Sequence, residues 1–153
     1  MSITVGVDSY VSLEEANNYF NSRLHAEAWV GATDTDKEKA LKQATRNIDV
    51  LPFRGAKASD TQNLSFPRTY AVYKDGGLVL VTDQDIPQEV KNATCEEALS
   101  LLQNSQRKQL QEEGVDSITI GNLTEHYSGT YKSISLSAYK MLSKYIVGGV
   151  YIR

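Results

Sequence analysis

The sequence has one cysteine, Cys95, and two histidines, His25 and His126. A single thiol excludes an intrachain disulfide and every zinc site built on paired cysteines. Neither imidazole has a histidine or carboxylate partner at helical spacing, so the metalloprotease helix pattern is absent, as is a glycine-rich phosphate loop. No apolar run approaches the ~18 residues a spanning helix needs. The opening MSITVGVDSY lacks the basic and apolar regions of a secretory signal. These absences lead to the expectation of a soluble, non-exported chain with no catalytic residue, no cofactor, no metal and no membrane contact.

Positive charge is also short. The net charge of -3 leaves no cationic excess to neutralise phosphates, which argues against nucleic acid as a primary ligand. What is present is material for one domain, 153 residues at 41% hydrophobic. Nine tyrosines against three phenylalanines suit half-buried positions and subunit contacts, because the ring is apolar and its tip polar.

Pro87 to Glu113 is the longest segment with helical character. Proline suits a first helical turn, where its missing N–H has no partner. At ~100° per residue, Ile86, Val90, Ala93, Thr94, Cys95, Ala98, Leu99, Leu101 and Leu102 cover about two thirds of the circumference. That arc is wider than a one-sided helix requires, so a central helix touched on several sides is expected. Its second half, Gln103 to Glu113, is polar apart from Leu110, and Gly114 is a natural stop. This half reads as a solvated protrusion or as a face for another subunit. Glu97 projects into the apolar arc and needs a partner such as an arginine, or a subunit boundary, to offset its burial.

Ahead of it, Thr4 to Val7 reads as a short extended arm. Ser12 and Glu15 form a capping box, which starts a helix with Leu13, Ala16, Phe20 and Leu24 on one face and an end near Arg23 or His25. Trp29 lies in a brief segment closed by Gly31. Thr33 or Thr35 caps the next helix, with Asp34, Asp36 and Glu38 at the favourable end of its dipole. Ala40, Leu41, Ala44, Ile48 and Leu51 form its inner stripe. Its acids imitate a calcium loop, but the sixth position is Lys39 rather than glycine and the twelfth is Thr45 rather than glutamate, so metal binding is not expected.

Pro52 ends that helix and opens a long irregular stretch from Phe53 to Arg68, and loops of this length are often functional. Phe53-Arg54 and Phe66-Pro67-Arg68 bracket it. Either the phenylalanines plug into the core while the arginines cap or pair, or the loop faces a neighbouring chain. Tyr70 to Val81 is extended around Asp75-Gly76-Gly77, as a hairpin or as a covered loop. A second hairpin is expected from Ser117 to about Tyr131, followed by a last helix capped by Ser135 or Ser137 with Ala138, Met141, Leu142, Tyr145 and Ile146 inward. The resulting expectation is a mainly α fold: a small helical bundle around a long central helix, with a short β-hairpin and long connecting loops, in a single domain.

The order of several short pieces resembles a known family. They are Tyr10-Val11-Ser12-Leu13-Glu14-Glu15-Ala16 with Tyr19-Phe20, Ala28-Trp29, Asp36 to Leu41, Ala44-Thr45-Arg46, Ile48-Asp49, Phe53-Arg54-Gly55, Phe66-Pro67-Arg68, and Ile86 to Lys91 running into Ala93-Thr94-Cys95-Glu96. In this order they resemble the head-tail connector, or adaptor, proteins of tailed bacteriophages, including the group labelled DnaT-like ssDNA-binding protein. The resemblance covers about the first two thirds of the chain.

It implies a virion structural protein, made in the host cytoplasm. Such a protein forms a ring, a dodecamer in the virion, beneath the portal protein, extends the DNA channel and receives the tail or a stopper protein. In solution the subunit is expected to be a monomer or weakly associated. Candidate subunit or portal contacts are Phe53, Arg54, Phe66, Arg68, Arg107, Tyr127 and Tyr151. The alternative carried by the label is a single-stranded DNA-binding protein of phage or prophage replication, which calls for a basic groove with exposed aromatics.

Overall fold

The computed structural model describes residues 2–103, 117–120, 123–126 and 134–147. The helices are α1 (Leu13–Asn21), α2 (Glu27–Val30), α3 (Asp34–Asp49), α4 (Gln88–Gln103) and α5 (Leu136–Leu142), the last followed by a 3-10 turn at Ser143–Tyr145. The strands are β1 (Ala56–Lys57), β2 (Arg68–Lys74), β3 (Gly77–Thr82), β4 (Ser117–Ile120) and β5 (Leu123–His126).

Local chemistry starts the helices where the sequence places them. The Ser12 hydroxyl accepts from the Glu15 amide at 3.1 Å, and the Ser12 amide donates back to the Glu15 carboxylate at 2.9 Å. Thr33 caps α3 by accepting from the Asp36 amide, and Ser135 caps α5 by accepting from Ala138. Each such cap contributes about 1 kcal/mol by satisfying an otherwise orphaned donor. The first helix ends earlier than expected, at Asn21. The expected extended arm before it is a turn, closed by the Thr4 amide donating to Asp8.

α4 touches α1, α2, α3 and α5, and Val90, Ala93, Thr94, Cys95, Ala98 and Leu99 on it are buried. With α3 it supplies residues to both apolar clusters. One gathers Val11, Ala16, Phe20, Trp29, Leu41 and Ala44 against Cys95, Ala98 and Leu99. The other gathers Tyr10, Ile48, Phe53, Phe66, Val90, Ala93, Leu142 and Tyr145. Residues 104–113, the polar continuation expected of this helix, lie outside the described residues.

The expected mainly α bundle around a long central helix is not what forms. The chain is mixed α/β, with a three-stranded antiparallel sheet in the order β1-β2-β3 and a two-stranded one from β4 and β5. The physical reason lies in β3. Leu78-Val79-Leu80-Val81 is apolar without alternation, and every residue of the strand is exposed. A strand with no buried face gives no period-two signal, and a short apolar run without one is ambiguous. The hairpin of β4 and β5 does follow the sequence reading, pairing Ser117 with His126 and Ile120 with Leu123.

Candidate assembly surface

The β2–β3 hairpin is the feature of this surface that the core leaves uncovered. At its root, Asp83 accepts from the Arg68 amide at 3.1 Å and donates its own amide to the Arg68 carbonyl at 2.9 Å. The Tyr70 hydroxyl reaches the same carboxylate at 3.3 Å. At its tip, Asp75 and Gly76 have φ of 52° and 81°. Two successive positive values are what a tight two-residue hairpin turn demands.

Between root and tip the strands pair Tyr70 with Val81, Ala71 with Leu80, Val72 with Val79 and Tyr73 with Leu78. Because side chains alternate across a strand, Ala71, Tyr73, Leu78 and Leu80 share one face and Tyr70, Val72, Val79 and Val81 the other. Tyr73, Leu78 and Leu80 are 76%, 72% and 73% exposed. The opposite face is better covered near the root, where the Tyr70 ring meets Tyr145 at 6.2 Å between centroids. Both faces are apolar, and a two-stranded hairpin of this kind is marginal in water by itself.

The edges are open as well. β1 pairs only with Arg68 and Thr69, so from Tyr70 to Lys74 the outer edge of β2 carries no strand among the described residues. The outer edge of β3 likewise carries none among the described residues. Its six residues, GLVLVT, include no charge and no proline, the usual devices that blunt an edge.

The candidates named from sequence fall in different places. Phe53 and Phe66 are core residues, stacked edge-on at 4.7 Å between centroids. Arg68 is buried and donates to the carbonyls of Phe53, Arg54, Gly55 and Ser65 at 3.3, 2.8, 2.8 and 3.2 Å. Its guanidinium therefore holds the ends of the 53–68 loop together through main-chain oxygens. Burial holds its pKa below the usual arginine value. Of the described candidates only Arg54 is exposed, and its guanidinium donates to the Lys144 carbonyl. Arg107, Tyr127 and Tyr151 lie outside the described residues. Tyr73, Leu78 and Leu80 were not among the candidates. The signal that could have found them is a tight turn at Asp75-Gly76-Gly77 followed by four apolar residues.

The electrostatics of the remainder are structural. Arg23, Lys37, Lys42, Lys91 and Lys144 each meet an acid: Glu96, Asp34, Asp8, Glu15 and Glu89. Glu97, for which a partner such as an arginine or a subunit boundary is expected, meets neutral partners among the described residues. Its two oxygens accept from the Asn47 side chain at 3.0 Å and the Ser135 amide at 2.7 Å, and burial raises its pKa above the usual carboxylate value. Burial likewise pushes the Cys95 thiol up to about 12, which keeps it protonated and unreactive. Among the described residues no three histidines, cysteines or acids cluster closely enough for a metal ion, and no helix is long and apolar enough to cross a membrane.

No curated protein and no solved structure matches the chain. One family model does, over residues 2–151, under the description "Putative DnaT-like ssDNA binding protein". That agrees with the labelled group in the sequence resemblance, while the description names no connector, portal or ring. A match over nearly the whole length shows the family: the chain belongs to the DnaT-like ssDNA binding protein family.

Proposed function

We propose that this chain is a non-catalytic assembly subunit, a head-tail connector that forms a ring under the portal of a tailed phage and receives the tail or a stopper protein. The single observation that carries the reading is the uncovered β2–β3 hairpin. Exposed apolar patches of several large side chains mark protein contacts, and Tyr73, Leu78 and Leu80 are each more than 70% exposed. The ordered sequence pieces from Tyr10 to Glu96 add the phage context. A single contact of micromolar strength is only about -8 kcal/mol, so the purified subunit stays monomeric or weakly associated. A portal that presents many docking sites at once raises the local concentration and closes the ring.

The test is electron microscopy of a portal assembly mixed with this chain. A ring-shaped addition beneath the portal is the expected result, and its absence at saturating concentration overturns the reading.

A second reading, single-strand binding, is favoured by the family description and by one local feature. Tyr73 and Lys74 are both exposed at the hairpin tip, a ring able to stack on one face of the strand and a cation on the other. Against it stand the pairing of Arg23, Lys37, Lys42, Lys91 and Lys144 with acids and the net charge of -3. A gel-shift titration with oligonucleotides at low salt separates the two. Tight binding that weakens in Tyr73→Ala and with rising salt establishes the second reading.

A further inference from the structure

We infer that the hairpin's occupant is a second copy of the same hairpin, joined head to tail, so that β3 of one subunit pairs antiparallel with β2 of the next. The inference rests on the assembly reading and adds the surface that makes the contact. Three observations support it.

The first is direction. β2 and β3 run antiparallel, so subunits placed side by side with their tips aligned continue an alternating antiparallel sheet across every junction. Antiparallel pairs are also slightly more stable per residue than parallel ones. The second is fit of the two free edges. Among the described residues the outer edge of β2 is open from Ala71 to Lys74, with Gly55 lying against Tyr70, and that of β3 from Gly77 to Thr82. With tips aligned, the junction repeats the pairs that already close the hairpin: Tyr73 opposite Leu78, Val72 opposite Val79 and Ala71 opposite Leu80. The third is charge. β3 has none, and the open part of β2 has only Lys74, at the tip and opposite Gly77 in this register. No like charges oppose one another.

The alternative of β3 against β3 gives a closed two-fold pair and leaves both β2 edges bare. A head-to-tail contact instead gives each copy two junctions and closes when the rotation permits. Each junction is small. Four paired residues span about 14 Å, too short a line to bury the ~800 Å² per partner of a stable binary complex. Isolated copies therefore separate, and a ring holds by the sum of its junctions.

Cysteine pairing tests this on the intact chain at high concentration. Leu78→Cys is mixed with Tyr73→Cys or, to allow a two-residue stagger, with Ala71→Cys, and the mixture is oxidised. All three positions are exposed, and Cys95 is buried, so the wild-type protein serves as the uncrosslinked control. The expected result is a covalent dimer in at least one mixture and none from any variant alone. Dimer from Leu78→Cys or Leu80→Cys alone shows like edges meeting and overturns the inference, as does the absence of dimer in every sample. In parallel, Leu80→Lys should weaken self-association in sedimentation at least tenfold while leaving the thermal midpoint in place, and unchanged association overturns the inference too. Rings on the portal without crosslinks leave the connector reading standing and remove this one. Crosslinks without portal binding do the reverse.

Discussion

Arg23 on the α1–α2 connection and Glu96 on α4 meet through two parallel hydrogen bonds, 2.8 Å from Nε and 2.9 Å from Nη2. The pair ties the loop after α1 to α4, and the hydrogen bond and charge of Glu96 raise the arginine's pKa. Glu96 is 7% exposed and Arg23 31%. Arg23→Ala strands a nearly buried carboxylate, and because the arginine side is partly hydrated the loss is about 1–3 kcal/mol in chemical denaturation. Arg23→Lys recovers only part, since an ammonium cannot reproduce a planar two-bond fork.

Gly55 has φ of +78°, and a Cβ built on it would lie 2.0 Å from the Thr69 carbonyl oxygen. Both terms oppose any side chain. Gly55→Ala should therefore lower stability by about 2 kcal/mol or more, read as a drop in thermal midpoint. Gly76→Ala has a similar φ of +81° but nothing within 4 Å, so it should cost only the conformational part, about 1 kcal/mol.

Glu97 predicts a pH dependence of definite sign. Its folded-state pKa is raised by burial, so the native state favours the protonated form. Its contribution to stability is fully present below the unfolded carboxylate value and is lost as pH rises from there through the raised folded value. Glu97→Gln removes that loss. Denaturation at pH 4 and pH 7 should show the variant improving relative to wild type at the higher pH. A constant difference would mean that burial leaves the Glu97 pKa where it is in the unfolded chain.

Leu41 and Ile48 are both 0% exposed and belong to different apolar clusters. Leu41→Ala and Ile48→Ala should each cost about 2–5 kcal/mol. The positions are two turns of α3 apart, in separate clusters, so the double variant should come close to the sum of the singles. Urea midpoints for the three variants measure this.

The helices were legible because two independent signals agreed on them. Ser12, Thr33 and Ser135 mark starts by capping chemistry, and Ala40, Leu41, Ala44 and Ile48 mark the inner face by spacing. The sheet was half legible. The turn at Asp75-Gly76 announced itself by residue type, but β3 buries no side chain among the described residues, and burial is what imprints a period on a strand. The same absence hides the candidate surface, while the aromatic and cationic residues flanking the long loop stand out by type alone. Phe53, Phe66 and Arg68 turned out to build that loop from inside. The Phe53–Arg68 stretch showed no pattern for them because what they serve, a main-chain path, has no periodicity to display.

Arg68 satisfies its guanidinium with four backbone oxygens and, among the described residues, no carboxylate. An anchor that grips peptide groups does not depend on which side chains those residues carry. The outward positions between Ala56 and Asn63 are therefore at liberty to be rewritten for a new neighbour while the strand behind them stays in register. What the fold must keep at that corner is a route for the chain, and the lettering along the route is open to change.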